Sequence, residues 1–259
     1  MTHLFFNLAL AVLFLPFLPL GVWVVSKMVR EESHEEKFGS KYLDKTALDT
    51  PPLAFAQAKR EILRIANMTY DLYCDALKMF EPALDTEQVV QGIEVRDDKI
   101  DLLDREVRFY LAKISQEALT DTQAAEEMAL LSIAADLEGI GDMISKDLAR
   151  LANKKMEKRR TFSEEGWQDI QKLHKAGVEN FSLTISIFAS SEERLAQKMI
   201  HQGEHFAALE QQLRQAHIQR LHVCSPEAIE TSSIHIDVLG NLGRINTHLM
   251  HIARLSLQT

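Results

Sequence analysis

Beyond residue 50, apolar side chains recur every three or four positions, which predicts amphipathic helices rather than strands. Pro51 and Pro52 announce the first helix, and Leu53, Ala56, Ile62, Ile65, Met68, Leu72 and Leu77 form its stripe to about Phe80. Pro82 and Asp85 break it, and a second helix runs from about 86 to 116. Thr120 or Asp121 caps a third, running to about 156, with Leu130, Ala134, Leu137, Gly141, Ile144, Leu148 and Leu151 on one face. The pattern then returns. Ser163 opens a fourth helix to about 189, a fifth runs from 191 to 221, and Ser225 with Pro226 opens a sixth. The sixth carries Val238, Leu242, Ile245, Leu249, Ile252 and Leu255 on its face.

Laying the third helix over the sixth aligns Leu137–Gly141 with Leu242–Asn246. Laying the second over the fifth aligns Asp98, Ile100 and Asp104 with Glu204, Phe206 and Glu210. Offsets of 105 and 106 residues in two separate helix pairs indicate a duplication. The expected fold class is therefore all-α, with two tandem three-helix bundles, repeats 51–157 and 163–257, within a domain at 51–259.

The first 26 residues read differently. Leu4 to Val25 is apolar except for Asn7. As a helix this run would cover about 33 Å, enough for a bilayer core of about 30 Å. A signal peptide would show a basic start, a shorter apolar run and a small-residue cleavage site. We therefore expect one N-terminal transmembrane helix at 1–26 and a connector at 27–50. Lys27, Arg30, Lys37 and Lys41 follow the run and no Lys or Arg precedes it. By the positive-inside rule, the expected localisation is the inner (cell) membrane, with the C-terminal domain cytoplasmic.

Composition narrows the function classes. The 259 residues hold only 10 Gly and 6 Pro, which suits long helices, and the net charge of −9 argues against a nucleic-acid partner. The one basic run, Lys154, Lys155, Lys158, Arg159 and Arg160, falls between predicted helices and reads as a solvated linker, with anionic lipid as the other reading. Cys74 and Cys224 match no metal or redox spacing and read as reduced, buried thiols.

Two stretches carry a family resemblance. Ala135-Asp-Leu-Glu-Gly-Ile-Gly-Asp142 resembles the PhoU-domain signature Asp-Leu-Glu-Arg-Ile-Gly-Asp, departing from it where Gly139 replaces the Arg. Glu230-Thr-Ser-Ser-Ile-His-Ile-Asp237, with Leu242-Gly-Arg-Ile-Asn-Thr-His248, resembles the last helix of the PhoU-like tail of bacterial sodium/phosphate cotransporter family proteins. The segments Phe38–Asp44, Thr50–Pro51, Ala58–Arg64 and Leu13–Pro19 are similar to the join between that tail and the last membrane helix. The resemblance implies the C-terminal part of such a protein, whether a truncated form, a split-gene partner or a fragment. The several membrane helices that bind sodium and phosphate are not in this sequence.

Candidate chemistry centres on carboxylates. Glu138 and Asp142 lie four apart on one helix face, Asp97 and Asp101 repeat that spacing, and Asp98 and Asp104 lie near. Antiparallel packing of the two helices would bring four carboxylates together, a donor set for Mg²⁺, Mn²⁺ or Fe²⁺. The resemblance implies a metal cluster at the same pairs. The competing reading is a solvated acidic face. In the second repeat, Gly203, Ala207, Gly243 and Thr247 occupy the aligned positions, so no second cluster is expected. His201-Gln-Gly-Glu204-His205 fits the H-x-x-E-H spacing of some metalloproteases, but with no third ligand it reads as exposed helix surface. His248 and His251, three apart, are either metal ligands or surface residues. No Gly-rich phosphate loop, Ser/His/Asp set or redox motif occurs.

The expected function is a membrane-anchored PhoU-like regulatory domain of a sodium-dependent phosphate transporter family protein, transport-incompetent alone and not an enzyme. Its expected partners are the membrane and either the multi-span part of a phosphate transporter or a partner subunit, with a second copy of the chain as a further option. The alternative is a free-standing PhoU-like phosphate-signalling adaptor that contacts another transporter. A metal-dependent enzyme is the weakest reading.

Overall fold

Proline, caps and apolar spacing produce helices close to where the pattern puts them. The computed structural model describes residues 38–114, 119–222 and 226–259. Helix α1 spans Pro51–Asp75 and tightens into a 3₁₀ turn at Ala76–Phe80; α2 spans Thr86–Ile114. The third rod is α3 (Asp121–Asp142), a π-helical turn (Met143–Leu148) and α4 (Ala149–Glu157). Then come α5 (Glu164–Ser190), α6 (Glu193–His222) and α7 (Pro226–Leu255). No strand occurs among the described residues.

Local chemistry fixes the helix starts. Thr120 forms a capping box with Gln123: its hydroxyl accepts from the Gln123 N–H, and the Gln123 amide oxygen accepts from the Thr120 N–H. The Ser163 hydroxyl accepts from the Gly166 N–H at the start of α5. That helix ends on Ser191, at φ 51°.

Helices α1, α2 and α3 pack on one another, as do α5, α6 and α7, and the contacts α3–α7 and α1–α5 join the two groups. Residues 39–259 form one compact unit. The α1–α5 seam is aromatic: the rings of Tyr73 and His174 stack with centroids 4.7 Å apart, and Phe181 lies 5.9 Å from Tyr73. The His174 Nε2–H donates to the Tyr73 carbonyl at 2.8 Å. Gly177 permits this approach, because a Cβ there would overlap the Tyr73 hydroxyl.

The expected stripe of α3 and α4 is buried along its whole length. In α1 the stripe is rotated. Leu53 and Ala56 are exposed, and Ala54, Phe55 and Ala58 lead into Ile62, Ile65 and Leu72. The sequence 55, 58, 62, 65, 69, 72 is an unbroken three-to-four spacing, whereas Leu53 and Ala56 lie off that face.

The described part of the connector is bound to the bundle. Fully buried Glu61 accepts from the N–H groups of Lys41 (2.8 Å) and Tyr42 (2.9 Å) and from Arg64 Nη1 (2.7 Å). Glu106 Oε2 accepts from the Ser40 N–H at 2.6 Å. These carboxylates satisfy donors that a strap lacking secondary structure would otherwise leave unpaired.

The expected inner-membrane localisation is corrected. Among the described residues, no helix is long and apolar enough to cross a membrane. The physical reason is charge: α6, for example, carries Glu204, Glu210, Arg214 and Arg220 within its length, on top of an apolar face only one stripe wide. The run at 1–26, on which the expected span rested, lies outside the described residues, as does Cys224.

The basic run is more than a solvated linker. Lys155 is buried, and its Nζ donates to the Phe80 carbonyl at 3.1 Å, tying α4 to the end of α1. Arg160 pairs with Glu230 on α7. Cys74 is half-buried beside Tyr70 rather than fully buried.

Candidate functional site

Three of the four expected ligands converge. Asp97 and Asp101 lie one turn apart on α2, and Asp142 is the last residue of α3, just before the π turn. One carboxylate oxygen from each lies within 4.8 Å of the others. Glu138, one turn before Asp142, stands outside that group but close enough to feel Asp142, Asp104 and Asp101. Asp98 is exposed. Asp104 is buried and paired with Arg108, Nε to Oδ2 at 2.6 Å.

The π turn completes the site. It places Ser145 so that its hydroxyl donates to Asp97 Oδ2 at 2.5 Å, and it places Lys146 against Asp142. One extra residue in a helical turn re-aims the side chains that follow, which is why such turns recur at functional sites. Gly141 lets α2 come close, since a Cβ there would overlap Asp97 Oδ1. Asp97 Oδ1 and Asp101 Oδ1 are buried and have no hydrogen-bond donor among the described residues.

Crowding of like charges in a dry place shows in the acidities. Asp97, only 4% exposed, has its pKa pushed up to about 6, chiefly by burial, with Asp101 and Asp142 adding and the Ser145 hydrogen bond opposing. Asp101 is raised by burial and by Asp142. Glu138 is raised by burial, then by Asp142. The Lys146 ammonium is held protonated more firmly by its hydrogen bond to Asp142.

The close fit of Gly141 gives a test. On an open helix face, Gly→Ala adds about 1 kcal/mol of stability. Gly92, on α2, is expected to behave that way, because a Cβ there would meet nothing within 4 Å. Gly141→Ala is expected to lower the melting temperature instead, because the short Asp97 side chain is held by Ser145 and overpacking costs about 1–3 kcal/mol. Thermal melts of the two variants check this; equal gains would mean that Asp97 moves freely.

In the second bundle the aligned places are filled differently. A Cβ at Gly203 would overlap Met250, and one at Gly243 would overlap Glu210. The Glu210–Arg214 pair, Oε1 to Nε at 2.9 Å, repeats the Asp104–Arg108 pair 106 residues on. His201, Glu204 and His205 are exposed on α6.

Comparison with known proteins agrees with this architecture. Residues 62–151, which contain α1 from Ile62 onward, α2, α3 and the π turn, match the family model of the PhoU domain. This stretch resembles a PhoU domain. All three converging aspartates, Ser145 and Gly141 lie inside it. The fold is that of PhoU proteins over about four fifths of the chain. The crystal structure of PhoU from Pseudomonas aeruginosa superposes with a TM-score of 0.70 at 20% identity, over 78% of this chain and 94% of that one. The phosphate transport system regulatory protein PhoU from Streptococcus pneumoniae gives 0.69 at 14% identity, over 80% and 95%.

Sequence relatives match well beyond residues 62–151. The chain is 29% identical to the putative inorganic phosphate export protein YjbB of Salmonella typhimurium (strain LT2), over 252 residues. It is 28% identical to YjbB of Escherichia coli (strain K12) over the same length. Each match covers 97% of this chain and 46% of the relative, so the chain spans about half the length of these proteins.

Proposed function

We propose that this helical domain is a phosphate-signalling adaptor, which contacts a phosphate transport protein and adjusts its flux. It holds a divalent cation, Mg²⁺, Mn²⁺ or Fe²⁺, on Asp97, Asp101 and Asp142, with Glu138 as an adjoining ligand. It works by binding rather than by catalysis. The match to the PhoU-domain model, and relatives described as putative inorganic phosphate export proteins, support the phosphate connection. The sodium coupling implied by the resemblance does not enter the proposal.

The carrying observation is the convergence of three carboxylates, two of which have a buried oxygen that no group among the described residues serves. Such oxygens favour a hard cation, which would neutralise the mutual repulsion and tie α2 to the end of α3. Lys146 supplies a single positive charge at the rim; the buried Asp97 is out of its direct reach.

The purified chain is expected to melt higher in Mn²⁺ than in chelator. At a free concentration about 100 times the dissociation constant, linkage adds about 2.7 kcal/mol. At about 2–4 °C per kcal/mol for a domain of this size, that is a shift of roughly 5–11 °C. Asp101→Asn/Asp142→Asn should lose the shift, and His201→Ala/His205→Ala should keep it. A full shift in the aspartate variant would place the cation elsewhere. In cells expressing a phosphate transporter, the wild-type chain should alter phosphate flux and the aspartate variant should not. If neither changes it, the adaptor reading falls.

A further inference from the structure

A second cluster of metal-binding side chains sits where the two bundles meet, away from the aspartates. Asp136 on α3 faces His248 and His251 on α7. His248 Nδ1 lies 2.8 Å from Asp136 Oδ1, and His251 Nδ1 lies 2.6 Å from Asp136 Oδ2. The carboxylate is largely covered, its side chain 12% exposed, while the imidazoles are 36% and 53% exposed.

We infer that His248 and His251 form a second, nitrogen-based site for a borderline divalent cation of the Zn²⁺, Ni²⁺ or Cu²⁺ class, with Asp136 as its orienting carboxylate. One carboxylate accepting from two rings puts a proton on each Nδ1. Each Nε2, on the opposite edge of its ring, then carries the lone pair. Neither Nε2 has a hydrogen-bond partner among the described residues. A metal-binding histidine characteristically donates its other N–H to a carboxylate, which fixes the tautomer and makes the ligating nitrogen more basic. Here one carboxylate does this for two rings at once.

Spacing and local room support the same assignment. Residues three apart on a helix share a face, so α7 presents both rings on one side. A Cβ at Gly139 would touch His248 Cε1 at 3.7 Å, so the ring lies over the glycine. An arginine there would bring a cation against the imidazoles and work against metal binding. Imidazole nitrogen suits Zn²⁺, Ni²⁺ and Cu²⁺, whereas Mg²⁺ prefers oxygen, so the two sites would sort ions by type. Two nitrogens leave the rest of the coordination sphere to water or to an oxyanion. The ion would ride on α7 while its buttress belongs to α3, so occupancy would tighten the junction between the bundles. His201 and His205 are also near neighbours on a helix, but no carboxylate orients them among the described residues.

The test uses the full chain carrying His201→Ala/His205→Ala, so that the exposed pair on α6 cannot contribute. Titration with Cu²⁺ should give an electron paramagnetic resonance signal with coupling to two nitrogens, and Zn²⁺ should compete for the site. Adding His248→Gln/His251→Gln should abolish that signal. Adding Asp97→Asn/Asp101→Asn should leave it unchanged, which separates this site from the carboxylate site. Asp136→Asn should keep the nitrogen signal but weaken affinity roughly 10- to 100-fold. Nitrogen coupling that survives His248→Gln/His251→Gln, or no coupling in the starting chain, would overturn the site. Unchanged affinity in Asp136→Asn would overturn the orienting role.

Discussion

Replacing His235 with Gln is expected to remove about 3 kcal/mol of acid lability between pH 7 and pH 4. His235 is buried in the second bundle, with its ring stacked on His217 at 4.1 Å and its Nε2 donating to the Gly166 carbonyl at 3.0 Å. Its pKa is pushed down to about 3, first by burial, then by His217, with Arg220 and Arg214 adding and the Gly166 hydrogen bond opposing. The folded state therefore refuses a proton that the unfolded chain takes up near pH 6.5. The stability tied to this group is fully present above about pH 6.5 and is lost as the pH falls towards 3. His217 is lowered in the same direction, chiefly by burial. Urea unfolding of the wild type and His235→Gln at a series of pH values measures the difference. The variant's curve should be flatter on the acid side, whatever its stability at pH 7. Parallel curves would show that His235 takes up a proton without disturbing the fold.

The second large effect runs the other way. Asp97→Asn is expected to stabilise the chain at pH 7 in chelator by up to about 3 kcal/mol. The raised pKa of Asp97, about 6, means that the fold prefers the neutral acid. Below pH 4 the carboxyl is neutral in both folded and unfolded states, and it costs nothing. Between about pH 4 and 6 the cost grows, and above 6 it is complete. The amide keeps an oxygen for the Ser145 hydroxyl, and its NH₂ can donate to the neighbouring Asp101 and Asp142. At about 2–4 °C per kcal/mol, the melting temperature should rise by several degrees at pH 7 and match the wild type at pH 4. In Mn²⁺ the order should reverse, because only the wild type offers the full carboxylate set. No gain in chelator at pH 7 would show that the aspartates are well solvated, and the reason for a cation there would go with it.

These two effects differ in how far the sequence foretold them. Asp97, Asp101 and Asp142 were legible because a four-residue spacing on two neighbouring helices leaves few ways to pack without bringing them together. Glu138 obeyed the same spacing yet stands at the edge, because the π turn and the Ser145 hydrogen bond draw the close contact to the end of α3. A π turn leaves little mark on hydrophobic periodicity: Gly141, Ile144, Leu148 and Leu151 keep their three-to-four spacing straight through it. Nothing in the sequence pointed to the His217–His235 stack, and the spacing of His248 and His251 was visible without any sign of Asp136 as their partner. His235 and His248 fell within resembling stretches, while the partners in these contacts lie 18 to 115 residues apart.

Helix positions, caps and most core faces follow from the sequence alone, because they depend on interactions within about four residues. The stop at Pro82, the Thr120 and Ser163 caps and the buried stripes of α3 and α7 are all of this kind. The exception, the rotated start of α1, sits where Leu53 and Phe55 offered two faces and only packing against α5 and α2 could choose. Which carboxylate loses its water, which imidazole loses its proton and which helix supplies the partner depend on the registry between helices. That registry is set by close approaches such as Gly141 on Asp97 and Gly177 on Tyr73, and those distances exist only in the folded molecule.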